Sequence, residues 1–376
     1  MRLLYLSADP GIPVLGHKGA SVHVRELSAA FAELGIDVHI ASPRIGPEGD
    51  RLTVPARLHR IAPVLAKAHE PRTLRVAVQA QSRVVTTLCQ RIGIDAIYER
   101  YSLFSAAGVR AASELAVPHV LEVNAPLRDE AARYRTLPHP ELAAAFESEV
   151  MSATNRVLAV SEPLARALVR DGVEAAKIEL APNGVAAQRF PSPRRDPDRF
   201  VVGFAGTMKP WHGLDTLIEA VSHVPAAHLE VAGHGPHEQL LDRLSGERMT
   251  RFGALPHADV IRLMSGWDVG VAPYSPLEGF WFSPLKVLEY MAAGACPVAS
   301  DLGDTAELLD YGRRGVVIPA GDADALADAL MGLARDRQRA RTLGERARAW
   351  VAANRSWSAN AQRALAALDI RRRRAA

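Results

Sequence analysis

The stretch Leu277–Asp301 reads L-E-G-F-W-F-S-P-L-K-V-L-E-Y-M-A-A-G-A-C-P-V-A-S-D, and the architecture around it follows from its three parts. A loop over 278–284 holds a glycine, a proline and the aromatics Phe280, Trp281 and Phe282. A helix is expected next, with Ser283 as its N-cap and Pro284 at its first position, where a missing N–H is harmless. Leu285, Leu288, Met291 and Ala292 fall on one apolar stripe, as a core-facing helix requires. Gly294 stops that helix, and Cys296–Ala299 follows as a short buried strand.

On this helix Lys286 and Glu289 stand three residues apart, near the N-terminus. Free N–H groups at a helix N-terminus attract anions, and a lysine one turn in adds a full positive charge. A carboxylate one turn further down can accept both hydroxyls of a ribose. The spacing alone fits a surface Lys–Glu pair equally well, worth only ~0.2–0.5 kcal/mol.

Outside this stretch, composition sets the bounds. With 376 residues, 48% hydrophobic and 23% charged, the chain reads as a soluble protein with room for two cores. No run approaches the ~18 apolar residues that span a membrane. Met1–Pro10 reads as a first strand rather than a signal peptide. Cys89 and Cys296 fall in a helical and a strand pattern, as buried free thiols, which points to a cytoplasmic setting. A net charge of +3 implies no nucleic-acid partner. The basic run Arg371–Arg374 reads as a solvated end, with peripheral membrane contact as the lesser reading. Of 45 basic residues only five are lysines; Lys18, Lys209 and Lys286 fall in glycine- or proline-bearing loops or at helix starts. A compact point charge serves best in such places.

Taken in order, strand Leu3–Leu6, loop Ser7–Lys18, helix Gly19–Gly35 and strand Val38–Ala41 open a parallel, Rossmann-like sheet. The loop is long for such a unit, and long loops tend to carry function. It lacks the G-x-G-x-x-G spacing of a dinucleotide site, which argues against an NAD enzyme. Later strands end in Glu99-Arg100 and in Glu122-Val123-Asn124, at the carboxyl edge where ligands sit in open α/β sheets. Glu99, Arg100, Glu122 and Asn124 are therefore candidates for ligand contacts, with a structural Glu–Arg pair as the rival reading. Phe190–Asp198, rich in proline and charge, is the best linker. Beyond it the pattern restarts with strand Phe200–Ala205, the loop Gly206–Gly213 and another helix.

Leu277–Asp301 resembles the nucleotide-sugar motif of glycosyltransferase family 4, retaining enzymes of the GT-B fold. The likeness is to the branch whose loop reads F-S-P-L-K-x-x-E-Y-M-A-x-G. Glu289 matches the second motif glutamate, which in the family holds the nucleotide ribose. The first glutamate position is occupied by Trp281, and Glu278 lies three residues too early. The run from Gly16 through Leu27 is similar to the family's first glycine loop, near the diphosphate and the acceptor. That likeness implies donor contact at Gly19, acceptor contact at His17 and Lys18, and a family histidine at His23; helix periodicity equally allows His23 as a half-buried residue. The loop Gly206–Gly213 resembles the second glycine loop, whose diphosphate-binding arginine and lysine are replaced here by Thr207 and His212. Lys209 is expected to supply the missing charge, as is His212 when protonated. Pro182-Asn183-Gly184-Val185 is similar to P-N-G-V-D, with Ala186 for the aspartate, and Asn124 stands where many members have a histidine.

The resemblance implies an α/β protein of GT-B fold, with two Rossmann-like parallel-sheet domains facing a cleft. Residues 1–190 would form the acceptor domain and 199–355 the nucleotide-sugar domain. A helix over 356–370 would cross back to the first domain, followed by a basic tail, 371–376. It further implies a metal-independent glycosyltransferase with no cofactor beyond its nucleotide-sugar co-substrate, UDP-linked by family habit. The acceptor would be a small molecule or glycan. Lys286, Lys209 and Asn124 would serve the reaction, and Glu99, Arg100 and Glu122 would contact the acceptor and its sugar. Gly206, Thr207, His212, Gly235, Phe252, Ser283, Pro284, Leu285 and Glu289 would join Gly19 around the donor. Two rivals stand: a GT-B nucleotide-sugar epimerase, and a non-catalytic glycosyltransferase-like subunit, suggested by Trp281, Thr207 and Asn124.

Overall fold

The computed structural model describes residues 1–16, 18–46, 55–68, 70–244, 246–277, 279–281 and 283–374. Two compact units divide the chain. One comprises Met1–Pro182, Trp281–Ser283 and Trp357–Ala376, and the other Asn183–Phe280 and Pro284–Ser356.

In the first unit, strands β1 (Arg2–Ser7), β2 (Asp37–Ser42), β3 (Ala56–Arg60), β4 (Ala96–Arg100), β5 (His119–Val123), β6 (Arg156–Ala159) and β7 (Ile178–Leu180) form one sheet. Among the described residues its order is β3-β2-β1-β4-β5-β6-β7, and every pairing is parallel. Helices α1 (Gly19–Glu33), α2 (Pro71–Ile92), α3 (Ala107–Leu115), α4 (Leu127–Tyr134), α5 (Pro140–Ala153) and α6 (Glu162–Arg170) connect these strands. Parallel strands covered on both faces read as continuous apolar runs, and Leu3, Leu4, Tyr5 and Leu6 are all buried.

The second unit repeats the plan with β8 (Phe200–Ala205), β9 (Ala227–Ala232), β10 (Met249–Gly253), β11 (Val269–Ala272), β12 (Cys296–Ser300) and β13 (Val316–Ile318). Their order is β10-β9-β8-β11-β12-β13, again parallel throughout. Helices α7 (Leu214–Ser222), α8 (His257–Met264), α9 (Leu285–Ala293), α10 (Thr305–Leu308), α11 (Ala323–Arg335) and α12 (Arg337–Asn354) complete it. Gly203 and Gly270 are paired across β8 and β11, and neither tolerates a side chain. A Cβ on Gly203 would fall 1.8 Å from the Trp267 ring, and one on Gly270 2.4 Å from Tyr290. Their absence lets those two rings pack tightly, and the Tyr290 hydroxyl accepts a 3.1 Å bond from the Ala205 N–H. The end of β8 is thereby pinned to α9.

Helix α13 (Trp357–Arg374) belongs to the first unit, where it packs on α1. Asn360 donates to the Pro182 carbonyl at 2.8 Å, and Trp357 is buried edge-on to His23. The helix continues through Arg374, so the arginine run expected as an unstructured tail is helical over 371–374. Arginine is a good helix former, and nothing in the run breaks the pattern.

The expected linker is also not free chain. Arg348 donates to the carbonyls of Phe190 and Pro191, and Arg337 to those of Asp196, Pro197 and Arg199. Prolines lack N–H groups but keep their carbonyls, and guanidinium forks satisfy them. The unit boundary falls earlier, at Pro182–Asn183.

Cys89 and Cys296 are free, buried thiols, each pushed up to about 12 by burial. Among the described residues no helix is long and apolar enough to cross a membrane.

Candidate functional site

In the second unit the strand order reverses between β8 and β11, and at such a point the loops leaving the carboxyl ends diverge to leave a crevice. Gly213 closes the loop after β8 at φ +62°. A Cβ there would lie 1.6 Å from the Pro273 carbonyl oxygen, so only glycine lets this loop meet the one after β11. The Ser275 N–H donates to the Trp211 carbonyl at 3.3 Å and joins the two loops.

Lys286, in the first turn of α9, reaches into this place. Its Nζ sits 4.4 Å from the centroid of the Phe204 ring and 5.4 Å from that of Tyr274. It is sealed from solvent and has no hydrogen-bond partner among the described residues. Gly206 lies alongside, and a Cβ there would be 3.3 Å from the ammonium. Burial lowers the Lys286 pKa to about 7, against a smaller raising effect from Glu289. Two ring faces attract the cation but offer no lone pair, so the group is incomplete without an anion.

The loop carries a second lysine, Lys209, with Nζ 6.0 Å from the Trp211 ring. His212 donates from Nδ1 to the Thr207 carbonyl, which fixes the Nδ1–H tautomer and closes the loop on itself. Burial, then the charges of Lys286 and Lys209, lower His212 to about 3. The expectation that a protonated His212 supplies positive charge is therefore corrected: near neutral pH it is uncharged, because it is buried and two lysines stand beside it. Thr207 is exposed on the same loop.

Glu289 is half-buried, and its Oε1 lies 2.6 Å from Nε2 of His257, the first residue of α8. The sequence marks Glu289 but not His257. Nothing local marks that histidine, since its partner is 32 residues away on another helix. The start of α9 also differs from expectation. Pro284, at ψ 88°, occupies the cap position itself and makes no side-chain cap bond, so the helix begins at Leu285. Gly235 lies against the backbone of Met208, whose N–H donates to the His234 carbonyl at 3.1 Å. Phe252 is on β10 at the sheet edge, two strands from β8. Glu278 and His17 lie outside the described residues.

Trp281 belongs to the first unit, where it packs against the core around Phe146 and Leu164. Its carbonyl accepts a 2.5 Å bond from Ser161 Oγ. The side chain at the expected glutamate position thus serves packing.

The carboxyl edge of the first sheet holds a buried ionic cluster. Glu122, 2% exposed, has Oε1 2.6 Å from His23 Nε2 and 3.4 Å from Arg100 Nη1. Asn124 donates to the same oxygen at 2.8 Å, and the Tyr5 hydroxyl donates to Oε2 at 3.4 Å. Burial alone would raise the Glu122 pKa, but His23, Arg100 and Asn124 together bring it down to about 2. Glu99, 1% exposed, pairs with His119 at 3.0 Å and accepts from Ser105. Glu99, Arg100 and Glu122 are thus corrected from acceptor contacts to interior groups whose partners lie within the fold. The half-buried Asn124 is turned toward Glu122. His23 is buried as well, at 3% exposure. Lys18 donates to the Gly11 carbonyl at 2.9 Å, and Gly19 is the first residue of α1.

An open parallel sheet with glycine loops around a buried lysine at its switch point is a Rossmann-like arrangement suited to an anionic ligand. Two glycosyltransferase family models match the chain, one over each half. Residues 17–189 match the family model Glycosyltransferase Family 4, and residues 199–336 match Glycosyl transferases group 1. A D-inositol 3-phosphate glycosyltransferase of Kribbella flavida is 28% identical, over 93% of this chain and 90% of its own. Sucrose-phosphate synthase from Thermosynechococcus elongatus superposes with a TM-score of 0.78 at 22% identity, over 100% of both chains. Anabaena Alr3699/HepE, solved with UDP-glucose, gives 0.75 at 18% identity, over 98% of this chain and 99% of its own. The fold is GT-B.

Proposed function

We propose that this protein is a retaining glycosyltransferase that moves a sugar from a nucleoside-diphosphate donor, UDP-linked, to a hydroxyl of a small-molecule or glycan acceptor. The observation that carries this reading is Lys286, a buried ammonium with no hydrogen-bond acceptor, beside the glycine loop at the switch point. Breaking the bond between the anomeric carbon and the phosphate oxygen leaves its electron pair, and hence negative charge, on the diphosphate. A cation preorganised in a dry site stabilises that charge far better than one in water. Lys286 supplies it, Lys209 adds a second, and Glu289 holds the ribose. The acceptor hydroxyl attacks from the face the diphosphate leaves, and its proton passes to the departing phosphate oxygen, so the chemistry needs no further base.

The test is a thermal-shift screen of UDP, GDP, dTDP and ADP on wild type, Glu289→Ala and Lys286→Ala. A diphosphate at a hundred times its Kd stabilises by ~2.7 kcal/mol. One nucleotide should shift the wild type and neither variant. No shift with any of the four would remove the physical basis of the transferase reading.

A further inference from the structure

We infer that His257 is a positioning residue, which holds Glu289 through one carboxylate oxygen and aims the other at the donor ribose. This rests on the donor-site reading above. Glu289 reaches its place from the second turn of α9, with Lys286 one turn before it. An ionised carboxylate on a half-buried helix face has two oxygens and a rotatable χ3, so alone it has no fixed aim. His257 removes that freedom. Its Nε2 stands 2.6 Å from Oε1, a distance at which the ring donates a strong, charge-assisted hydrogen bond. The side chains are 24% and 17% exposed, so the pair lies at the rim of the unit and not in its core.

The histidine is itself well placed to stay still. It opens α8 directly after Pro256, whose φ of −56° is fixed by its ring, and α8 packs on α9. With Oε1 committed to His257, the ribose is gripped through Oε2. A two-oxygen grip on both ribose hydroxyls, as the sequence alone suggests, would need His257 to let go.

The experiment compares the affinity for UDP with that for 2′,3′-dideoxy-UDP by titration calorimetry. The proteins are wild type, Glu289→Ala, His257→Ala, His257→Gln and the double alanine variant. Wild type should prefer the ribonucleotide by ~10-fold, the worth of a hydrogen bond to a charged group. Glu289→Ala should abolish that preference, and His257→Ala should cut it to roughly 2-fold. His257→Gln, which keeps an N–H donor, should restore most of it. The double variant should show the same ratio as Glu289→Ala alone, because the effect of His257 on the ribose runs through that carboxylate. A purely structural histidine would lower Tm and leave the ratio unchanged. A ratio in His257→Ala equal to wild type, or losses that add in the double variant, overturns the inference and leaves the donor site standing. Failure of the wild type to bind UDP, or equal affinity for the two nucleotides, overturns the ribose assignment and this inference with it.

Discussion

Replacing Lys286 by methionine should make the protein more stable and unable to bind a diphosphate. The magnitude follows from the surroundings of Nζ. Burial lowers the pKa from its ordinary 10.5 to about 7. That displacement corresponds to roughly 5 kcal/mol of disfavour for the charged form, at ~1.4 kcal/mol per pH unit. The Phe204 and Tyr274 faces offset ~1–2 kcal/mol of it by attraction to the cation. Methionine keeps the length of the side chain and places a polarisable sulfur against the same rings. The net gain near pH 7 is then ~2–3 kcal/mol, or roughly 5–10 °C in the Tm of a unit this size. The dependence on pH has a definite sign. Between pH 7 and 10.5 the unfolded chain holds a proton on this lysine that the folded chain does not, so wild-type stability rises with pH across that window. The advantage of the methionine variant should therefore shrink from pH 7 to pH 10. Differential scanning fluorimetry and urea titration at both pH values read this directly. A variant no more stable than wild type at pH 7, or an advantage that does not shrink by pH 10, refutes the reasoning.

Three further outcomes are expected. Glu122→Gln leaves Arg100 and His23 facing a neutral amide and should cost ~3 kcal/mol at pH 7 in urea titration. Because the folded Glu122 pKa is about 2 against an ordinary 4.5, the difference from wild type should be full above pH 4.5 and fade as pH falls toward 2. Asp268→Asn breaks a buried pair with Arg337, at 3.0 Å, and should lower Tm by a similar energy of ~3 kcal/mol while UDP affinity by calorimetry stays unchanged. Gly213→Ala drives a Cβ into the Pro273 carbonyl and should cost more than ~2 kcal/mol and weaken UDP binding, both seen in a thermal shift with and without nucleotide.

What could be read from sequence divides along a physical line. The alternation of apolar strands with amphipathic helices, the stop at Gly294 and the buried strand after it are local patterns, and each is present in the fold. Lys286 was legible because a lysine in the first turn of a helix after a proline-bearing loop is a local signal. His257 beside Glu289 and His23 beside Glu122 were not, since each pair joins elements distant in the chain and neither partner carries a mark of the other. Composition also misled in two places. The proline- and charge-rich run 190–198 has a linker's make-up, yet arginines from α12 fasten its carbonyls to the second unit. The strand-end acids Glu99 and Glu122 sit where ligands bind in open sheets, and a carboxylate turned inward looks no different in sequence from one turned outward.

The membership of α13 in the first unit bears on how the chain matures during synthesis. Residues 1–182 leave the ribosome first, but the helix that buries Trp357, Ala361, Ala364 and Ala367 emerges only after the whole second unit has been made. Until then the flank of α1 around His23 has no cover, and the nascent first unit exposes apolar surface for the time needed to translate residues 183–356. The second unit, whose sheet and helices all lie before Trp357, can complete its own core earlier. The chain therefore finishes folding at its beginning, and a stalled or clipped product lacking the last helix is the form most exposed to chaperones and proteases.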